Sequence, residues 1–302
     1  MAQVFHDTIE IPVAGGPLLV AAAGAPAGPD MPVVLAVHGI TGSHRSWSPV
    51  VRNLGTDISV LAPDLRGRGG SAALPPPYGM AAHVADLLAV LDHFGVRRAV
   101  LAGHSMGAYV ATRLAAAAPD RVSAAVLVDG GPALPRPAGI DADTLLAAVL
   151  GPALDRLSMT FDSSEAYRDF WRAHPAFATA WEDDLVREDI ADYVDYDLTD
   201  TPPLRSRVAQ APVRADGRDL LDPEATGKAL AALACPATLL WAPRGLQDED
   251  RPLLSAEVIM AAQEALPQLT VRQVPDTNHY LILLRDRDAR AVAAAIRELA
   301  LF

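Results

Sequence analysis

The stretch LAGHSMGAYV, Leu101 to Val110, sets Ser105 between Gly103 and Gly107 at the point where an apolar run becomes a helical pattern. The run RAVLAG reads as a buried strand, and the residues from Met106 to just before Pro119 read as a helix. A strand that turns into a helix over so few residues forces the residue at the bend into a strained backbone conformation. Residues with almost no side chain, two positions to either side, are what let the two elements approach. The strain lifts the serine hydroxyl into a cleft at the carboxyl end of the strand. The helix N-terminus behind it offers unpaired N–H groups and the positive end of a dipole. A glycine-rich turn with no further purpose would need neither the strand nor the helix, so Ser105 is read as a nucleophile.

Outward from that bend, strands alternate with helices. VFHDTIEIP and PLLVAAAGA, separated by Ala14-Gly15-Gly16, predict an antiparallel hairpin. MPVVLAVHG, ISVLAPD and SAAVLVD are unbroken apolar runs, as strands buried on both faces require. A short helix is expected around Trp47 to Leu54 and a longer one from Met80 to Phe94, the second stopping at Gly95. From Gly130 to about Lys228 the rhythm breaks into a helical, proline-rich and acidic stretch. It carries eight of the chain's 16 aromatic residues. PATLLWAP, a helix near Ser255 to Leu266, TVRQVP and a final helix from Ala289 to Leu299 then restore the alternation. Such an order implies a mostly parallel sheet built by right-handed crossovers, with helices on both faces. The core is expected to comprise residues 1–130 and 229–302, with 131–228 as a helical cap over one end of the sheet.

Composition bounds the partners. The 302 residues are 51% hydrophobic and 21% charged, with a formal net charge of −12. That sign disfavours nucleic acid and anionic membrane, both of which need a basic face, and favours an uncharged substrate. No run is long and apolar enough to span a bilayer. The start MAQVFHDTIEIPVAGG lacks a basic region followed by an apolar one, so a cytoplasmic location is the expectation. Cys235 is the single cysteine and reads as a small buried hydrophobe. The sequence sets no oligomeric state, and a homo-oligomer stays open.

With these pieces in place the chain resembles the α/β-hydrolase superfamily. Besides Gly103-His104-Ser105-Met106-Gly107, three motifs carry the resemblance. LAVHGITGS, with His38-Gly39, is similar to the family's oxyanion loop. PDLRGRGGS, containing Asp64 to Ser71, is similar to its D-x-R-G-x-G-x-S loop. Asn278-His279-Tyr280 is similar to its histidine loop. The resemblance implies an eight-stranded α/β-hydrolase fold and His279 as the base that activates Ser105, in the order serine, acid, histidine. It also implies that the backbone N–H groups of Ile40 and Met106 form an oxyanion hole. His38 is then expected to order the oxyanion loop, and His104 to be structural. His6, His44, His83, His93 and His174 are left as surface or packing residues. Arg66 and Arg68 are expected to brace loops by pairing with carboxylates.

The acid admits two readings. In many relatives it follows the seventh strand at a fixed distance from a proline, and that register places Gly245 where a carboxylate belongs, with Asp248 three residues on. Asp129 ends the sixth strand, beside the nucleophile's own strand, where some relatives keep their acid. Asp129 is preferred and Asp248 remains the alternative.

What the resemblance implies chemically is a serine hydrolase without a cofactor. No H-E-x-x-H or second cysteine suggests a metal, and no P-loop or dinucleotide glycine pattern suggests a phosphate cofactor. Relatives that dehalogenate alkanes or open epoxides carry aspartate at the bend, which Ser105 replaces. Expected substrates are medium-to-large hydrophobic esters or lactones, aromatic ones included. Ile40, Phe161, Phe170, Trp171, Phe177, Trp181 and Tyr193 are expected to wall a large apolar cavity. A carbon–carbon bond hydrolase, a perhydrolase, an acyltransferase and a slow-turnover ligand sensor share the same implied triad.

Overall fold

The computed structural model describes residues 4–28 and 31–301. Eight strands form one sheet: β1 (Asp7–Val13), β2 (Gly16–Gly24), β3 (Val33–Val37), β4 (Ser59–Pro63), β5 (Ala99–His104), β6 (Val122–Val128), β7 (Ala237–Trp241) and β8 (Leu269–Gln273). Their order is β1-β2-β4-β3-β5-β6-β7-β8. β2 pairs antiparallel with both β1 and β4, and every other pairing is parallel. The unbroken apolar runs have a direct cause in this arrangement. Alternate residues of a strand point to opposite faces, and β3 supplies both: Val33, Leu35 and Val37 enter one core cluster, Val34 and Ala36 the other.

Twelve helices accompany the strands among the described residues. α1 (Ser48–Leu54) and α12 (Asp286–Ala300) pack together on one face, their Val50, Leu54, Val292 and Ile296 meeting the Val34 side of β3. α2 (Met80–His93), α3 (Met106–Ala117) and α10 (Ala256–Ala265) contribute to the opposite cluster. Between β6 and β7 lie α4 (Ala142–Leu150), α5 (Pro152–Asp155), α6 (Ser164–Arg172), α7 (Asp184–Asp197), α8 (Gln210–Leu220) and α9 (Pro223–Ala231), and a single turn of helix, α11 (Leu281–Leu284), precedes α12. Side-chain caps start several of these: Asp141, Ser163, Asp183, Asp222 and Ser255 each accept from a backbone N–H of the first turn.

Two boundaries differ from expectation. The change from helical segment to core was expected at 228/229, which falls inside α9, a helix packed on α3 and α10. Asp222-Pro223 starts that helix, because Asp222 caps it and proline suits its first position. The last helix begins at Asp286, not Ala289, and buries Asp288, which receives Arg285 and Arg287.

Candidate active site

The strands β3, β5, β6 and β7 run parallel, so the residues that follow each of them collect at one edge of the sheet. Ser105 follows β5 with φ 53° and ψ −121°, a left-handed conformation that side chains rarely adopt. The steric reading of its glycines is visible as distances. A Cβ on Gly103 would come within 2.3 Å of the Gly107 carbonyl oxygen, and one on Gly107 within 2.0 Å of the Val37 oxygen. The Ser105 N–H donates to the Val128 oxygen at 2.9 Å, so the neighbouring strand fixes the bend.

Asp129 follows β6, also at positive φ (45°), and is fully buried. One of its carboxylate oxygens accepts from the Ala242 N–H at 3.1 Å, and the other from His279 Nδ1 at 2.7 Å. That contact assigns the His279 proton to Nδ1 and leaves Nε2 as the free lone pair. The alternative acid is engaged elsewhere. Asp248 takes Arg244 Nε at 2.9 Å and Asn278 Nδ2 at 3.0 Å, one residue short of the histidine it was weighed against.

The loop that carries His279 is tied down on three sides. His104 Nε2 donates to the His279 carbonyl at 2.9 Å. Asn278 Oδ1 accepts from the Tyr280 and Leu281 N–H groups just ahead of α11, while its Nδ2 reaches the Ala176 carbonyl in the helical segment at 2.9 Å. Burial holds the His104 ring well below the usual histidine pKa, with the neighbouring His279 adding to the effect. Burial likewise lowers His38 to about 4. Both rings are therefore neutral near pH 7 and bring no positive charge beside His279. The sequence assigned structural parts to His38 and His104. For Asn278, an asparagine whose side chain can bond the backbone two and three residues on is a legible signal that the sequence reading passed over.

His38 braces the loop after β3 from within: Nδ1 donates to the Gly39 oxygen at 2.7 Å and Nε2 accepts the Leu65 N–H at 2.9 Å. Arg68 braces it from behind. Its fully buried guanidinium donates to the Ile40 carbonyl at 3.0 Å and lies 4.0 Å from the Met106 sulfur. The balancing charge comes from α8, where Asp216 meets Arg68 at 2.5 Å, His83 Nε2 at 3.0 Å and the Gly79 N–H at 2.7 Å. Arg66 forms a two-pronged pair with Asp86 at 2.7 and 3.0 Å. Both arginines thus brace loops against carboxylates, as expected. His44, His83 and His174, left as surface or packing residues, are buried, and the first two are paired with Asp64 and Asp216.

Ser105, His279, Ile40 and Tyr193 line one cavity, together with Thr41, Ser46, Leu150, Leu246, Tyr280 and Leu283. Its free volume is about 30 Å³, far from the large space expected. Among the described residues that line it, none is Asp, Glu, Lys or Arg. Phe161, Phe170, Trp171, Phe177 and Trp181 do not reach it. Trp171 and Phe177 are fully buried against each other, ring centres 5.5 Å apart, and Phe161 packs edge-on to Tyr167 and Phe170. Arg172 covers Trp181 at 5.3 Å. The reason is packing: Trp171 and Phe177 join the same continuous apolar cluster as Leu35 and Met106, with Phe161, Phe170 and Trp181 packed against it, and aromatic side chains supply the most buried area per residue. The cluster touches the cavity through Tyr280, whose ring lies 5.3 Å from Phe177 and 5.5 Å from His279.

Among the described residues no three His, Cys, Asp or Glu side chains gather as metal ligands would, and no helix is long and apolar enough to cross a membrane.

Comparison with known proteins meets this geometry from outside. The chain is 44% identical over 108 residues to Lipase LipV of Mycobacterium tuberculosis, a match covering 35% of this chain and 41% of that protein. It therefore spans about two-fifths of that relative's length. Among solved structures, E-2-(acetamidomethylene)succinate hydrolase superposes with a TM-score of 0.78 at 20% identity, covering 97% of this chain and 98% of that one. The thioesterase domain from the curacin biosynthetic pathway gives 0.71 at 21% identity, over 98% of each chain. At those identities the likeness is one of fold. The family described as the alpha/beta hydrolase fold matches residues 32–286, which takes in the serine bend, the loop after β3 and the histidine loop. The chain belongs to the α/β-hydrolase family.

Proposed function

We propose that the protein is a serine hydrolase of neutral carboxylic esters, with Ser105, His279 and Asp129 as its triad. The observation that carries this reading is the buried 2.7 Å contact from His279 Nδ1 to Asp129, on a ring that shares one cavity with the strained Ser105. In the reaction, His279 Nε2 takes the Ser105 proton as Oγ attacks the ester carbonyl carbon. The oxygen that becomes negative is held by the Ile40 and Met106 N–H groups. Collapse of the tetrahedral intermediate breaks the bond to the alcohol, which leaves with the proton from His279. Water then attacks the acyl-serine, giving up a proton to His279, and the acid departs as Ser105 is restored. Asp129 keeps the ring in the tautomer that accepts at Nε2 and stabilises it while it is charged.

Neutrality of the substrate is supported by the absence of charged side chains among the described residues of the lining. A carboxylate-bearing substrate would lose its hydration there with no lysine or arginine of the described lining to pair with it. The name of the partial relative, a lipase, agrees with an ester bond. The helical segment between β6 and α9 is the cap in this reading, and its Leu150 and Tyr193 are among the residues that line the cavity with Ser105. A fluorophosphonate probe should add once to the intact protein, on the peptide holding Ser105. Absence of adduct, or an adduct elsewhere, refutes the reading.

A further inference from the structure

The chain has six tyrosines, and four of them spend their hydroxyls inside the fold. Tyr78 donates to the Leu74 carbonyl at 3.3 Å, Tyr109 to the Pro132 carbonyl at 2.8 Å and Tyr196 to Asp64 at 2.6 Å, and Tyr167 donates to Asp197. The hydroxyls of Tyr193 and Tyr280 meet no hydrogen-bond partner among the described residues, and these two are the tyrosines that line the Ser105 cavity. Both side chains are more than nine-tenths buried, yet each hydroxyl keeps exposed surface. Tyr193 belongs to α7 and Tyr280 directly follows His279, so one comes from the helical segment and the other from the sheet edge.

Packing does not account for these two hydroxyls. The Tyr280 ring stands 5.3 Å from Phe177, and both rings stand 6.3 Å from Trp171, contacts that a phenylalanine would make as well. A buried hydroxyl without a partner costs free energy, and a ligand that supplies the partner offsets that cost. Burial pushes the Tyr280 hydroxyl up to about 12 and raises Tyr193 too, against the opposing pull of Arg156. Both are therefore neutral donors near pH 7. Their complement is an oxygen with a free lone pair, and with no lysine or arginine in the described lining that oxygen is an uncharged one. Because the free space is only about 30 Å³, a group that meets the lining lies close to the reacting carbonyl.

We propose that Tyr193 and Tyr280 bind a neutral oxygen of the substrate, carried on one of the two carbons beyond the reacting carbonyl. The substrate class is then a hydroxy or oxo ester, and the pair discriminates against the hydrocarbon ester of equal size. The proposal rests on the serine-hydrolase reading above. A substrate that sets a methyl group against the pair shuts out solvent and leaves the hydroxyls unpaired, which should lower kcat/KM by roughly tenfold or more.

The test compares two pairs of methyl esters of equal size, lactate with 2-methylpropanoate and 3-hydroxybutanoate with 3-methylbutanoate. Each kcat/KM ratio is taken relative to hydrolysis of the same pair by hydroxide, which removes the intrinsic reactivity of the hydroxy ester. The natural chain should favour the hydroxy ester at least tenfold in one pair or both. Tyr193→Phe and Tyr280→Phe, which keep the rings, should each reduce that preference to less than about threefold with an unchanged circular dichroism spectrum. No preference in either pair, or a preference that either variant keeps, overturns the proposal. Labelling of Ser105 by the fluorophosphonate probe would then leave the hydrolase reading standing. If no ester is turned over, saturation-transfer NMR on Ser105→Ala decides. Binding of methyl 3-hydroxybutanoate that is lost when both tyrosines are also replaced by Phe supports the tyrosine site without the hydrolase reading. No binding, or binding that survives those replacements, overturns it.

Discussion

The carboxyl edge of the sheet and the helices between β6 and β7 solve different physical problems with their conspicuous residues. At the sheet edge, backbone strain and strand register place Ser105 and Asp129, both at positive φ, one strand apart. In the helices, aromatic side chains turn inward and hold the segment together. A residue at the first site is costly to its own backbone and gains by what it faces; a residue at the second gains by what covers it. Conspicuous aromatic content is therefore a poor guide to a site, whereas a strained polar residue after a buried strand is a good one. The two regions meet at Tyr280 and through the Arg68–Asp216 pair.

The contrast breaks most sharply at Ser105. Ser105→Ala should reduce ester turnover by on the order of 10⁴ or more with an unchanged circular dichroism spectrum. Residual activity near that of the natural chain would remove the sheet edge from the chemistry. Next in size, Asp216→Asn leaves a buried guanidinium without its counter-charge and should destabilise the fold by about 3 kcal/mol in urea titrations. Because Arg68 holds the Ile40 carbonyl, kcat should also fall, by roughly tenfold and with little change in KM, less than the roughly 100-fold loss of a whole oxyanion donor. A change in stability alone would make the pair a structural strut. Phe161→Ala sharpens the comparison from the helical side. It should cost about 2 kcal/mol of stability and leave kcat/KM within about threefold, since Phe161 is half-buried among Tyr167 and Phe170. A tenfold loss of kcat/KM in folded protein would return the aromatic cluster to the site.

The smallest effect is on pH. Burial lowers His38 and His174 to about 4, with Arg156 also acting on His174, while the unfolded chain takes up those protons near 6.5. Between these values the unfolded state binds more protons, so stability falls as pH drops from 6.5 toward 4. Replacing His174 with Gln should flatten that slope in urea midpoints measured across the window; an unaltered slope would exclude His174 from it.

How much of this was legible follows from the same contrast. The apolar runs of the sheet announce themselves because a parallel strand is covered on both faces, and Gly103 and Gly107 announce the bend because no Cβ fits there. Asp129 was preferred for its place at the end of the strand beside β5, and it does meet His279. Asp248 stood in the right loop but is spent on Arg244 and Asn278. The pairing of Arg68 with Asp216 was hidden, since nothing local links positions so far apart in the chain. Tyr193 does line the cavity, but the other five aromatic residues misled because side-chain type records a need for burial, not the direction in which the side chain is buried.

The account depends above all on which carboxylate orients the histidine, and the paired kinetics of Asp129→Asn and Asp248→Asn on p-nitrophenyl acetate test it most directly. The account predicts a loss in kcat on the order of 10⁴ for Asp129→Asn, as for a misoriented imidazole, and a change within about tenfold for Asp248→Asn. The reverse pattern, with Asp129→Asn near the natural rate and Asp248→Asn inactive though folded, would contradict it.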